Sequence, residues 1–183
     1  MMDTTEVIAK LRSSRRALSE LVVDSEPGVY AFFLKPGASL RCGPVCLGEA
    51  VYVGRSSNLA KRQLYVHFSS DNTGFSTLRR SIGALLKDCL DLRSAPRAPG
   101  SSETNYRNYC FQPEGEVRLT GWMHANLEIG VCPLPTGYEE IEEALISELQ
   151  PPLCLKGWPN PIARPTKSLR KLCADEARGR RSA

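Results

Sequence analysis

Two short apolar blocks, each setting a tyrosine beside a glycine, constrain this chain most: Gly28-Val29-Tyr30 and Tyr52-Val53-Gly54. The first opens the run VYAFFL (residues 29–34) and the second ends the run AVYVG (residues 50–54). Both are rich in β-branched and aromatic residues, so both read as buried strands. Residues 35–49 between them carry Pro36, Gly37, Gly43, Pro44 and Gly48, which is loop chemistry. The pair is therefore a hairpin with an enlarged tip. It sets Tyr30 and Tyr52 on neighbouring antiparallel strands, each alternating with residues that face the other side.

The remaining pattern is mostly helical. Residues 4–22 place Val7, Ile8, Leu11, Leu18, Leu21 and Val22 at helical spacing, with Asp3 or Thr4 as cap, and Pro27-Gly28 as the stop. Ser56-Ser57-Asn58 supplies caps for a helix over 59–68. A third helix starts at Ser76, with Leu78, Ile82, Leu85, Leu86 and Cys89 three and four apart. Residues 94–115 read as a long mobile excursion. Residues 119–123 (LTGWM) are apolar, and residues 127–131 (LEIGV) alternate as a third strand. Residues 138–149 form a strongly amphipathic helix with Ile141, Leu145 and Ile146 inward, closed by Pro151-Pro152. The order α-β-β-α-α-β-α predicts an α+β domain: a small three-stranded antiparallel β-sheet flanked by helices. We divide the chain into an N-terminal helix (1–24), a central domain (25–163) with long loops at 35–49 and 94–115, and a basic C-terminal tail (164–183), read as a helix or an extension.

Composition narrows the class. The chain has 183 residues and a net charge of +4, a mild bias compatible with many partners. The distribution says more. Eight Lys or Arg follow Lys156 inclusive, and Lys10, Arg12, Arg15 and Arg16 form a second cluster. Such runs are solvated faces or polyanion contacts. The seven cysteines are scattered, and Cys42–Cys46 is the only close pair. No second pair or nearby histidine completes a zinc site. Scattered thiols predict reduced cysteines and a cytoplasmic location. The polar start is no signal peptide, and no apolar run reaches membrane-spanning length.

Two phenols, a guanidinium and a carboxylate are what phosphodiester hydrolysis with a single metal ion asks for. The reaction needs an oriented nucleophile, charge stabilisation on the phosphate oxygens, and help for the leaving group. Arginine clamps phosphate bidentately, and one carboxylate can hold a Mg²⁺ that keeps most of its waters. Taken singly, each of these residues fits an ordinary role in packing or on the surface. The joint spacing lifts them.

That spacing resembles the GIY-YIG nuclease superfamily, in a stand-alone or restriction-type form. Gly28-Val29-Tyr30 and Tyr52-Val53-Gly54 match the two name motifs. Residues 52–62 (YVGRSSNLAKR) run without a gap from tyrosine to the family's catalytic arginine, and residues 142–152 (EEALISELQPP) look like its metal-binding helix and proline turn. The resemblance spans about residues 25–160. It implies a three-stranded antiparallel sheet with flanking helices. Tyr30 and Tyr52 would position or activate water, Arg62 would clamp the phosphate, and Glu142 would bind one divalent ion, Mg²⁺ or Mn²⁺. Ile146, four residues on, selects Glu142 over Glu143 and Glu139. The substrate implied is DNA, duplex or branched, and the enzyme is expected to be bacterial. A duplex cutter with a single site must work as a homodimer or nick twice.

Two positions depart from the family pattern. The residue after Pro-Pro-Leu, usually Asn, is Cys154, and Asn160 is the nearest alternative. The His or Tyr four residues after the arginine is replaced by Val66, with His67 one place later. His67 is thus either a general base or a structural histidine, since one residue turns a helical side chain by about 100°. Arg55, Lys61, Arg79 and Arg80 are candidate nucleic-acid contacts. Arg79 and Arg80 open a helix, where a cation opposes the helix dipole unless an anion lies close. A catalytically impaired DNA-binding module of the same fold is the alternative reading, motivated by Cys154.

Overall fold

The computed structural model describes residues 2–22, 25–40, 50–61, 67 and 72–180. The apolar strand runs form as expected. Strands β2 (Gly28–Leu34), β3 (Ala50–Ser56) and β6 (Leu127–Pro133) make an antiparallel sheet with β2 in the middle. Every residue of β2 is buried, which explains why its sequence is continuously apolar rather than alternating. A two-residue strand, β1 (Arg16–Ala17), pairs with β6 and makes a fourth strand at the far edge.

That short strand corrects the first predicted helix. Helix α1 covers Thr4–Ser13, not 4–22, and is closed at its start by the Asp3–Glu6 capping box. The chain then crosses the edge of the sheet. Ser14 Oγ donates to Val131 O and accepts from Val131 N, both at 3.0 Å, and so ties the crossing to β6. Val7, Ile8 and Leu11 pack on one face of the sheet, whereas Leu18 and Leu21 pack on the other. One helical stripe in the sequence is two stripes in space, because helical spacing alone does not register a crossing at a sheet edge.

The two faces carry separate cores. On one, α1 and α6 (Tyr138–Leu149) cover Val29, Ala31, Phe33 and Val53. On the other, α3 (Thr77–Leu85), α5 (Pro113–Asn126) and α7 (Ala163–Ala177) cover Tyr30, Phe32, Leu34 and Ile129. Of the helix expected over 59–68, Leu59–Lys61 is described as α2, with His67 beyond it.

The 94–115 excursion is more ordered than its composition predicts. Strands β4 (Ser94–Ala95) and β5 (Cys110–Phe111) pair, α4 (Glu103–Arg107) lies between them, and Tyr109 and Phe111 are buried. Residues 119–123 belong to α5, which begins at Pro113, a residue preorganised for a first helical turn. The tail forms a helix, α7, that buries Thr166, Cys173, Ala174 and Ala177 against the core. Among the described residues no helix is long and apolar enough to cross a membrane.

Candidate active site

The hairpin brings the two tyrosines together. Cross-strand register sets Tyr30 opposite Gly54 and Phe32 opposite Tyr52. The ring centroids of Tyr30 and Tyr52 are 6.3 Å apart on the same face. Gly54 is required there by space. A Cβ on it would come within 2.6 Å of the Tyr30 hydroxyl, so the phenol lies over bare backbone.

His67 completes this cluster. It is fully buried, with centroids 5.6 Å from Tyr30, 5.6 Å from Phe32 and 6.3 Å from Tyr52. The Tyr30 hydroxyl meets His67 Nε2 at 2.9 Å, and His67 Nδ1 meets Ser76 Oγ at 2.9 Å. Ser76 also caps α3, accepting from Arg79 N at 3.1 Å. Its hydroxyl can accept from one imidazole tautomer or donate to the other, so the chain Tyr30–His67–Ser76 can hold its protons either way round.

Tyr52 differs from Tyr30. Half-exposed, it opens on a cleft of about 380 Å³ along the β3 edge, which Glu142, Thr77, Cys154, Lys156, Lys167 and Arg170 also line. Glu142 lies on α6, which packs against the opposite face of the sheet. The two groups meet at the cleft because β3 is the edge strand. Tyr30 is buried behind the cleft, so only one of the two expected phenols lines it. Of the three candidate glutamates, Glu142 lines the cleft. Glu139 and Glu143 are exposed, and Glu139 shares Arg55 with Glu142. Arg55 Nε lies 3.3 Å from Glu142 Oε2, which makes Arg55 a partner of the carboxylate as well as a candidate DNA contact.

Arg79 and Arg80 are corrections. Arg79 was expected at a DNA phosphate, yet it is fully buried. Its Nη2 donates to Glu116 Oε2 at 2.7 Å and Thr120 Oγ1 at 2.9 Å, its Nε to Thr73 Oγ1 at 3.1 Å, and its Nη1 to the His67 carbonyl at 3.1 Å. The anion that a cation at this helix start requires is therefore internal, supplied by Glu116. Arg80 is also buried, and its Nη1 donates to the Gly74 carbonyl at 2.7 Å. Burial lowers its pKa to about 10, and the charge of Arg170 adds to the fall. Both arginines hold the turn behind His67 rather than facing solvent. Arg62, the Cys42–Cys46 pair and the side chain of Lys61 lie outside the described residues.

Cys154 has a mechanical role. After Pro151-Pro152 the chain runs beside the open edge of β3, where Leu153 N donates to Val51 O at 2.9 Å. The Cys154 thiol then serves both groups of Val53, accepting from its N–H and donating to its carbonyl, each at 3.3 Å. Burial pushes this thiol up to about 12, so it stays protonated and can donate. A donor and an acceptor on one side chain are what an Asn amide would bring to the same strand edge. Asn160 acts elsewhere: its Nδ2 donates to Pro152 O at 2.9 Å and Cys154 O at 3.0 Å, pinning the turn. From the sequence, Lys156, Lys167 and Arg170 stand out only as members of the basic run, and Thr77 does not stand out at all. The spacing of Lys167, Arg170 and Lys171 on one face of a helix was the available signal.

Comparison with known proteins gives one finding. The family model described as GIY-YIG catalytic domain matches residues 46–174, well over half of the chain. The match includes Tyr52, Arg62, Glu142 and most of α7, and begins after Tyr30. No curated protein matches the chain, and no solved structure does.

Proposed function

The chain belongs to the GIY-YIG catalytic domain family, and from that premise we propose that it is a metal-dependent endonuclease hydrolysing DNA phosphodiester bonds in the cleft beside β3. Members of this family are endonucleases, and DNA is their substrate class. The observation that carries the proposal is the convergence of Tyr52 and Glu142 on one cleft, with Tyr30 and His67 packed behind.

In this reading Tyr52, at the cleft wall, orients the attacking water. Behind it the Tyr30 hydroxyl and His67 Nε2 share a proton, and Ser76 fixes the other imidazole nitrogen. Arg62, seven residues on from the described Arg55, neutralises the non-bridging phosphate oxygens with its guanidinium fork. Glu142 would hold the divalent ion, Mg²⁺ or Mn²⁺. The donor set fits such an ion: one half-buried carboxylate on an open cleft leaves most coordination positions to water and phosphate, as Mg²⁺ prefers. When bound, the ion supplies polarisation of the phosphate. Arg55, at 3.3 Å, is the counter-charge of this carboxylate at the cleft wall.

A plasmid-nicking assay tests the proposal. Wild type should nick with Mg²⁺ and stop with EDTA, and Arg62→Ala should bind DNA yet not cut. Equal cutting by Arg62→Ala with Mg²⁺ present would reject the assignment. Gel-shift binding by wild type, with no cutting in Mg²⁺ or Mn²⁺, would select the binding-only alternative. The role of Cys154 as a fastener of β3 removes the main motive for that alternative, because the residue at this position acts on the backbone of a strand.

A further inference from the structure

Beside the cleft, α7 and α4 enclose a second groove, of about 430 Å³, lined by Arg107, Lys167, Arg170, Lys171, Ala174 and Arg178. Positions 167, 170, 171, 174 and 178 fall on one face of a helix. The adjoining face is committed to the core through Thr166, Cys173 and Ala177.

The five cations are not alike. Arg178 is neutralised: its Nε donates to Glu103 at 2.8 Å, its Nη2 to the same carboxylate, and its Nη1 to Asp175 at 2.8 Å. It serves as a wall. Arg107, Lys167, Arg170 and Lys171 form no ion pair with a described residue. Four like charges around one concave surface raise its positive potential and attract a polyanion. Their field reaches the interior as well, since Arg170 and Arg107 both contribute to the lowered pKa of Arg80 after the larger effect of burial.

The groove is continuous with the candidate active site, because Lys167 and Arg170 line both. We propose that α7 is a phosphate track: its groove holds the DNA backbone flanking the scissile phosphate. This rests on the nuclease reading of the cleft. Lys167 and Lys171 are about 6 Å apart along the helix axis. Phosphates follow one another every ~3.4 Å of duplex axis on one strand, so the face can meet about two of them. Arg170, at the junction, has the guanidinium fork that suits a phosphate shared between cleft and track.

The test is fluorescence anisotropy with a labelled duplex in EDTA, so that nothing is cut. Arg107→Ala/Lys171→Ala removes two cations that line only the outer groove. The log–log salt slope of binding should fall by about two, and affinity near physiological salt on the order of tenfold. Lys171→Glu, at an exposed position, should move both readouts the same way should the double variant fold poorly. Lys10→Ala/Arg16→Ala removes as much charge from α1 and from β1, the sheet edge opposite β3, and should leave the slope unchanged. An unaltered slope in Arg107→Ala/Lys171→Ala, or an equal fall in the control, would overturn the track. If wild type still nicks plasmid in that case, the track alone fails. If wild type neither binds nor nicks duplex DNA, the nuclease reading fails with it.

Discussion

Two arginine–glutamate pairs sit on either side of the tyrosine cluster, and they are built for opposite purposes. Arg79 and Glu116 are 0% and 1% exposed and meet at 2.7 Å, with Thr73, Thr120, the His67 carbonyl and Phe111 N filling the remaining positions. Arg55 and Glu142 are 39% and 20% exposed and meet at 3.3 Å on the wall of a cleft. The first pair is closed: both charges left water, and neither can be spared. The second is open, so water, an ion or a phosphate can replace one partner at little cost. A carboxylate that must exchange partners during turnover belongs in the second kind of place.

The largest effect should come from breaking the closed pair. Glu116→Ala leaves the Arg79 charge buried without its anion and should cost about 3–5 kcal/mol in urea unfolding. Glu142→Ala should cost under about 1 kcal/mol in the same measurement. Similar losses from the two variants would erase the distinction between them.

A second test concerns the edge of β3, which holds the wall of the cleft. Cys154 is raised to about 12 in the folded chain from an ordinary 9.0. The folded state therefore keeps a proton that the unfolded state releases. The stabilisation is complete below pH 9 and is lost as pH rises towards 12, at up to about 1.4 kcal/mol per pH unit. Urea midpoints of wild type and Cys154→Ser should converge or cross as pH rises above 9. Parallel curves would mean that the thiol is not held neutral. The smallest effect is on the open pair itself. Arg55→Ala removes the cation that competes for Glu142. It should lower the Mn²⁺ concentration at half-saturation, read from the EPR signal of free Mn²⁺, by about twofold to fivefold. An unchanged value would mean that this pair does not compete with the ion.

The sequence made the sheet legible because β2, β3 and β6 carry dense runs of apolar residues between turn residues. It made the cleft partly legible, since Tyr52 and Glu142 lie in motifs whose spacing is local. What it hid was long-range pairing. Nothing near Arg79 announces Glu116, which lies on another helix, so a buried cation looked like a surface one. Helical spacing across residues 4–22 likewise concealed the crossing at Ser14, because the partner of that serine is Val131 on a distant strand. The tail reads as a basic helix or an extension, with no sign of what it packs against. Its buried positions Cys173, Ala174 and Ala177 are small and lie among many charged residues, although they are what fixes α7 to the core.

The most direct measurement is Mg²⁺-dependent nicking of plasmid DNA by wild type and Glu142→Ala, matched in urea midpoint. Wild type should cut, and the variant should lose at least about 10²–10³-fold in rate while remaining folded. Equal rates from the two proteins would contradict the assignment of the cleft beside β3 as the place where the phosphodiester bond is broken.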